Sequence, residues 1–285
     1  MEIIRTIAQM QAQARAWQRQ DARIALVPTM GCLHEGHLSL VRRARRLGDR
    51  AVVSIFVNPT QFGPDEDLDA YPRTWSDDQA LCEAEGVDVI FAPDPGAMYP
   101  EDASTWVVEE DLSRPLCGAS RPGHFRGVTT VVAKLFLATL PDVAVFGQKD
   151  AQQALVIKRM VRDLNFPVEI EVAPIVREAD GLAMSSRNRY LSADERRRAR
   201  SIHRGVQQAE RAWADGEREA DALLAAVTTE IDAAGGEIDY VELRDAEGLE
   251  SAEGRISRPV LLAVAAHFGP ARLIDNVMLS PHAPA

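Results

Sequence analysis

The run from Leu26 to His37, LVPTMGCLHEGH, constrains this chain more than any other segment. Before it, Ile24 to Val27 is a short apolar stretch ending at Pro28, which reads as a buried strand. Behind it, Leu38, Val41, Ala44 and Leu47 recur at helical spacing. A strand that passes through a glycine-bearing loop into a helix N-terminus builds an anion site, because unpaired N–H groups and the positive end of the helix dipole converge there. Gly31 and Gly36 let the backbone approach such an anion closely, so the loop amides are expected to cradle it.

His34 and His37 admit three readings at this point. They are loop histidines satisfied by backbone groups, or metal ligands together with Cys32, or hydrogen-bond donors to a nucleotide phosphate. The spacing differs from the His-x-x-x-His of a helical zinc protease, and no second ligand cluster stands out elsewhere.

Strand-like and helix-like segments alternate up to about Val172. Strands are expected at Ile24–Val27, Ala51–Val57, Val87–Phe91, Val143–Phe146 and Val168–Val172. Helices are expected around Leu38–Leu47, Asp77–Glu85, Val128–Leu140 and Ala151–Leu164. This order implies an α/β fold, a Rossmann-like parallel sheet covered on both faces, with ligands beyond the carboxyl ends of its strands. After Pro174 the texture changes. Ser192-Ala193-Asp194-Glu195 is a capping box opening a helix to about Ala214, and a second helix, Ala220–Ala234, stops at Gly235-Gly236. Val260–Phe268, Arg272–Met278 and Tyr240–Leu243 complete a smaller helix-plus-antiparallel-sheet domain. The expected division is therefore 1–174 and 175–285, with a disordered tail from Ser280.

A length of 285 residues accommodates real cores, and a formal net charge of -11 argues against nucleic acid as a partner. That charge also repels anionic substrates at long range, so local cations are required, and Arg121, His124, Arg126, Lys149, Arg187 and Arg189 lie within the motifs. The three cysteines, Cys32, Cys82 and Cys117, suit a reducing compartment. With no secretory leader and no apolar run long enough to span a bilayer, a cytoplasmic protein without a membrane partner is expected.

The run PTMGCLHEGHLSLV resembles the histidine signature loop of the nucleotidylyltransferase superfamily, and in its PTMG form it is similar to that of the pantoate–beta-alanine ligase family. The resemblance continues, in the family's order, through VVSIFVNPTQFGPDEDLDAYPRT, FAPDPGAMYP, SRPGHFRGVTTVV, FGQKDAQQ and DGLAMSSRNRYLS, and so covers essentially the whole chain. It implies an ATP-dependent condensation of (R)-pantoate with beta-alanine through a pantoyl adenylate, with ATP as substrate, Mg2+ beside it, and a homodimer. Another adenylyl- or cytidylyltransferase of the same superfamily is the alternative, and a non-catalytic nucleotide-binding module is a second.

The resemblance also implies residue roles. His34 and His37 contact the ATP phosphates, with His37 as the charge-stabilising catalyst. Met30, Gly31, Cys32, Leu33, Glu35 and Gly36 lie along the nucleotide. Gly147, Gln148, Lys149 and Asp150 follow a strand; Lys149 reaches the α-phosphate, and Asp150 lies on the ribose side or caps the next helix. Gln148 stands where some members carry glutamate. Gln61 and Gln153 hold pantoate, Val176 meets adenine, and Met184, Ser185, Ser186 and Arg187 form a loop that closes on the triphosphate, with Gly181 permitting its movement. Arg121 and His124 steer phosphate or beta-alanine. Asn58 ties its loop structurally. Asp77 and Asp78 hold magnesium's waters or are first-turn helix carboxylates. Cys32, within the phosphate loop, is expected to be alkylation-sensitive.

Overall fold

The computed structural model describes residues 1–64 and 66–281. Contacts divide the chain into two compact units: 1–148 with 152–174, and 149–151 with 175–285.

The first unit is a six-stranded, wholly parallel sheet. Its strands are β1 (Glu2–Ile4), β2 (Ile24–Thr29), β3 (Arg50–Ile55), β4 (Val89–Phe91), β5 (Val143–Gly147) and β6 (Glu169–Ala173), in the spatial order β1-β4-β3-β2-β5-β6. The helices are α1 (Ile7–Gln18), α2 (Glu35–Leu47), α3 (Trp75–Ala84), the single turns α4 (Pro95–Met98) and α5 (Cys117–Ser120), α6 (His124–Thr139) and α7 (Ala151–Asp163). Ala25 and Val27 of β2 share a core cluster with Leu40, Val41 and Ala44 of α2 and Cys82 of α3. The pleat turns Ile24 and Leu26, equally buried, to the opposite face, where α1 and α6 lie against β2. Burial on both faces is why these strands are continuous apolar runs. The sequence reading missed β1 and α1. Thr6 caps α1 by accepting from the Gln9 N–H at 3.3 Å, and Met10, Ala14 and Trp17 form its buried stripe.

Chain order reverses between β2 and β5, which makes the gap between their carboxyl ends the switch point where such sheets bind ligands. Pro28 sits at that gap. Residue 29 bonds β3, since the Phe56 N–H donates to its carbonyl, so the alternate residues Ile24, Leu26 and Pro28 face β5. The β2–β5 ladder covers only Ala25 and Leu26, and the N–H that proline lacks falls just beyond its end. A proline in a central strand is thus tolerated because the two strands have already parted.

The second unit is an antiparallel sheet of β7 (Glu237–Asp245), β8 (Val260–Phe268) and β9 (Ala271–Leu279), in that order, against α8 (Ala193–Ala214) and α9 (Ala220–Ala233). The expected capping box is present: the Glu195 N–H donates to Ser192 Oγ at 3.3 Å and the Ser192 N–H to Glu195 Oε2 at 2.8 Å. Val206, Leu223, Val227, Leu262 and Phe268 are among its core residues. Of the tail expected to be disordered, Ser280 is held, its carbonyl accepting from Trp213 Nε1–H at 3.0 Å, and residues 282–285 lie outside the described residues.

Candidate active site

The loop between β2 and α2 is built around one buried carboxylate. Gly31 has φ of 79°, and a Cβ there would lie 2.9 Å from Asp78 Oδ2, so both backbone and space demand glycine. Cys32 is also left-handed, at φ 50°, a strain of about 1–3 kcal/mol for a non-glycine residue. Asp78, on α3 and 2% exposed, holds that conformation: Oδ2 accepts from the Cys32 N–H at 2.9 Å and Oδ1 from the Leu33 N–H at 2.7 Å. Thr74 Oγ1 adds a bond to Oδ1 at 3.1 Å, and the Gly31 N–H donates to Thr29 Oγ1 at 3.1 Å.

Three expectations are corrected by these bonds. The amides of Gly31, Cys32 and Leu33 are engaged within the protein instead of cradling an anion. Asp78 has both oxygens occupied by the loop, so it does not hold magnesium's waters. Cys32 is 1% exposed, which removes the expected sensitivity to alkylation.

His34 is the N-cap of α2 and His37 stands in its first turn. The His34 N–H donates to His37 Nδ1 at 3.4 Å, and the two rings lie 4.0 Å apart at 32°. A ring whose Nδ1 accepts carries its proton, when neutral, on Nε2, so His37 presents a donor there. The helical ladder begins with the Leu38 N–H on the His34 carbonyl, which leaves the amides of Glu35 and Gly36 ahead of it. The Glu35 carboxylate pairs with Arg42, whose guanidinium Glu35 and Glu85 together hold above its ordinary value. Among the described residues no three His, Cys, Asp or Glu side chains converge as a metal cage, so the reading of Cys32, His34 and His37 as ligands fails.

After β3, Asn58 is buried and Pro59–Gln61 form a 3₁₀ turn. Asn58 Nδ2 donates to the Gly127 carbonyl at 3.1 Å and to Gln61 Oε1 at 2.9 Å. The Gln61 carbonyl accepts from His124 Nδ1–H at 2.9 Å and from Arg121 Nη2 at 3.2 Å. Arg121 also forks onto Glu66, at 2.6 and 2.8 Å, and donates to His124 Nε2 at 3.1 Å. Arg126 stacks over Trp106, 4.7 Å from the ring centroid. Arg121 and His124 thus tie the 3₁₀ turn through the Gln61 carbonyl, and the exposed Arg126 lies over Trp106.

Beyond β5, Gln148–Asp150 form a 3₁₀ turn and α7 follows. Lys149 is largely shielded, with Nζ 3.6 Å from Asp150 Oδ2, and its carbonyl accepts from Asn276 Nδ2 at 3.0 Å. Gln153 on α7 is half-buried. Its neighbour Gln152, which the sequence reading passed over, is buried and structural: Oε1 accepts from the Cys117 N–H at 3.0 Å while Nε2 donates to the Leu112 and Pro115 carbonyls at 2.8 and 2.6 Å.

Residues 176–184 form a tight antiparallel turn. The Met184 N–H donates to the Val176 carbonyl at 3.0 Å, and Arg177 bridges Ala183. Gly181, at φ 94°, is required because a Cβ would fall 2.4 Å from His203 Cδ2; its role is close packing, not freedom of movement. Ser185 then caps a 3₁₀ turn over Ser186–Tyr190, accepting from the Arg187 N–H at 3.3 Å. Two residues missed from the sequence hold this segment. Arg177 forks onto Asp275, 3% exposed, at 2.6 and 3.0 Å, and donates to the Gly181 carbonyl at 3.2 Å. Burial, then the charge of Arg177, lowers the pKa of His203 beside them, and burial raises that of Glu210.

Residues 2–278 match the family model described as pantoate-beta-alanine ligase. A pantothenate synthetase of Moorella thermoacetica is 55% identical over 280 residues, 98% of this chain and 99% of that protein. A crystal structure of pantothenate synthetase from Thermus thermophilus superposes with a TM-score of 0.93 at 45% identity, covering 99% of this chain and 100% of that one. A pantoate-beta-alanine ligase from Francisella tularensis, complexed with beta-gamma ATP and beta-alanine, gives 0.82 at 32% identity, with 98% and 97% covered.

Proposed function

This chain belongs to the pantoate-beta-alanine ligase family, and we propose that its switch-point loop is where ATP is activated for that ligation. It condenses (R)-pantoate with beta-alanine at the expense of ATP. The pantoate carboxylate attacks the α-phosphorus, pyrophosphate leaves, and the amine of beta-alanine then displaces AMP from the acyl carbon. Both nucleophiles belong to the substrates, so the protein's tasks are orientation and stabilisation of developing phosphate charge.

The observation that carries this reading is the His34–His37 pair at the opened end of β2, with Nε2 of His37 as donor. In it, His37 and His34 bond the phosphates, the first-turn amides of Glu35 and Gly36 assist, and Lys149 meets the α-phosphate. Met30, Gly31, Cys32 and Leu33 shape the wall beside the nucleotide. Gly147, Gln148 and Asp150 border the nucleotide with Val176, while Met184, Ser185, Ser186 and Arg187 close on the phosphates. Gln61 and Gln153 hold pantoate. Residues 1–174 act as the nucleotide- and pantoate-binding part and 175–285 as the lid. Mg2+ would accompany ATP and offset charge on its phosphates.

A homodimer and a cytoplasmic location complete the proposal. Exposed Trp106 and Val108 offer apolar surface for a second copy, the buried cysteines Cys32, Cys82 and Cys117 are thiols, not disulfides, and among the described residues no helix is long and apolar enough to cross a membrane. Product analysis with ATP, pantoate and beta-alanine is the test. Pantothenate, AMP and pyrophosphate in equal amounts are expected, and ADP as product would overturn the adenylate route.

A further inference from the structure

The side-chain amide of Gln61 is oriented by Asn58, whose own orientation can be read from its backbone partners. The Gly127 carbonyl can only accept, so the nitrogen of Asn58 must face it, at 3.1 Å. The Thr60 N–H can only donate, so Asn58 Oδ1 must face it, at 3.4 Å. With Asn58 fixed in this way, its second N–H meets Gln61, and the atom of Gln61 it meets, at 2.9 Å, is Oε1. The Gln61 NH2 therefore lies on the side away from Asn58.

A hydroxyl chain stands behind this arrangement. Thr60 Oγ1 lies 3.0 Å from Asn58 Oδ1 and 3.3 Å from the Tyr99 hydroxyl. A threonine hydroxyl has one proton, and Asn58 Oδ1 can only accept, so the consistent order is Tyr99 O–H to Thr60, Thr60 O–H to Asn58, and Asn58 N–H to Gln61. Tyr99 suits the head of the chain. It is stacked on Trp106 at 6.3 Å and 23°, and burial raises the pKa of its phenol, keeping the proton it donates.

We propose that Thr60 and Tyr99 are positioning residues which, through Asn58, hold Gln61 with its NH2 toward substrate, so that this subsite selects a ligand presenting hydrogen-bond acceptors, a carboxylate or hydroxyl oxygen. The inference rests on the reading of Gln61 as a pantoate contact. Without the Thr60 hydroxyl, Asn58 Oδ1 keeps only the longer 3.4 Å bond from the Thr60 N–H, so Asn58 holds the Gln61 amide less firmly, which weakens an acceptor ligand while leaving nucleotide binding alone.

The test is steady-state kinetics of pantoate-dependent AMP release for the unaltered protein, Thr60→Val, Thr60→Ser and Tyr99→Phe, with melting temperatures alongside. Thr60→Val is expected to raise the KM for pantoate by about three- to tenfold, the scale of one hydrogen bond, with the KM for ATP changed less than about twofold. Tyr99→Phe gives a smaller rise of the same kind, and Thr60→Ser, which restores the hydroxyl, returns the KM toward that of the unaltered protein. Parallel increases in both KM values, or no difference between Thr60→Ser and Thr60→Val, would overturn the inference and leave the functional reading standing. No pantoate-dependent AMP release from the unaltered protein would overturn both.

Discussion

Replacing Asp78 by alanine isolates what shapes the loop between β2 and α2. The substitution strips the acceptor from two buried amides, those of Cys32 and Leu33, held at 2.9 and 2.7 Å. A buried N–H left unsatisfied costs about 1–3 kcal/mol, so a loop that kept its shape would lose about 2–6 kcal/mol. The loop has a way to limit that loss. Cys32 stores about 1–3 kcal/mol in its left-handed conformation, and once Asp78 no longer holds it the residue relaxes toward negative φ. Stability then falls by the lower part of the range, about 5 to 10 °C in melting temperature for a unit of this size. Relaxation moves the chain immediately before His34, and a misplacement on the order of 1 Å costs about a hundredfold in rate.

The assay pairs thermal unfolding with pantoate-dependent exchange of labelled pyrophosphate into ATP, and Asp77→Ala is the control. Asp77 is an exposed neighbour on the same helix turn, and its loss is expected to change stability by no more than about 0.5 kcal/mol. Asp78→Asn falls between, because one oxygen still accepts while its NH2 confronts the second amide. An Asp78→Ala protein that melts and exchanges like the Asp77→Ala control would refute the reasoning.

Removing the donor at His37 or the ammonium at Lys149 by alanine substitution is expected to lower the adenylation rate, measured by pyrophosphate exchange, by about two to three decades while leaving the fold intact. Gln153→Ala is expected to raise the KM for pantoate well above any change for ATP; equal changes would remove it from the pantoate site. His203 sets a pH dependence. Burial, and then Arg177, lower its folded-state pKa below the ordinary 6.5, so the unfolded chain binds more protons and stability drops as pH falls below about 6.5. Glu210, raised by burial, acts with the opposite sign, gaining stability as pH falls toward 4.5, and Asp275 and Arg177 bias both groups. His203→Gln is expected to flatten the loss between pH 6.5 and 5 in urea unfolding.

Much of the fold was legible because its signals are local. The apolar runs of β2, β3 and β5, the Ser192 capping box and the glycine stop after α9 each announce an element within a few residues, and the alternation of strand and helix implied the parallel sheet. The first helix was legible too, from Thr6-Ile7-Ala8-Gln9 and the spacing of Met10, Ala14 and Trp17, but its polar remainder obscured it. The motifs marked the loops of the site. What they did not mark are the residues that hold those loops. Asp78 lies 46 positions from Cys32, and Asp275 lies 98 from Arg177. Nothing in the local sequence distinguishes a buried acceptor for distant amides from an ordinary carboxylate, and Asp77 and Asp78 looked alike until burial separated them.

That separation bears on how an acidic chain handles anionic substrates. Four arginines are committed to carboxylates within the protein: Arg121 to Glu66, Arg42 to Glu35 and Glu85, Arg177 to Asp275, and Arg196 to Glu178 and Asp180. A formal charge of -11 opposes ATP and pantoate at distances beyond about 10 Å in dilute buffer. Capture therefore depends on short-range donors, which screening scarcely touches, and neutral donors have an advantage there. A neutral N–H donor brings no desolvated charge of its own, so meeting a phosphate does not require breaking an ion pair. On the proposed reading, an imidazole N–H at His37 and an amide NH2 at Gln61 are such donors, the first oriented by the His34 N–H and the second by Asn58.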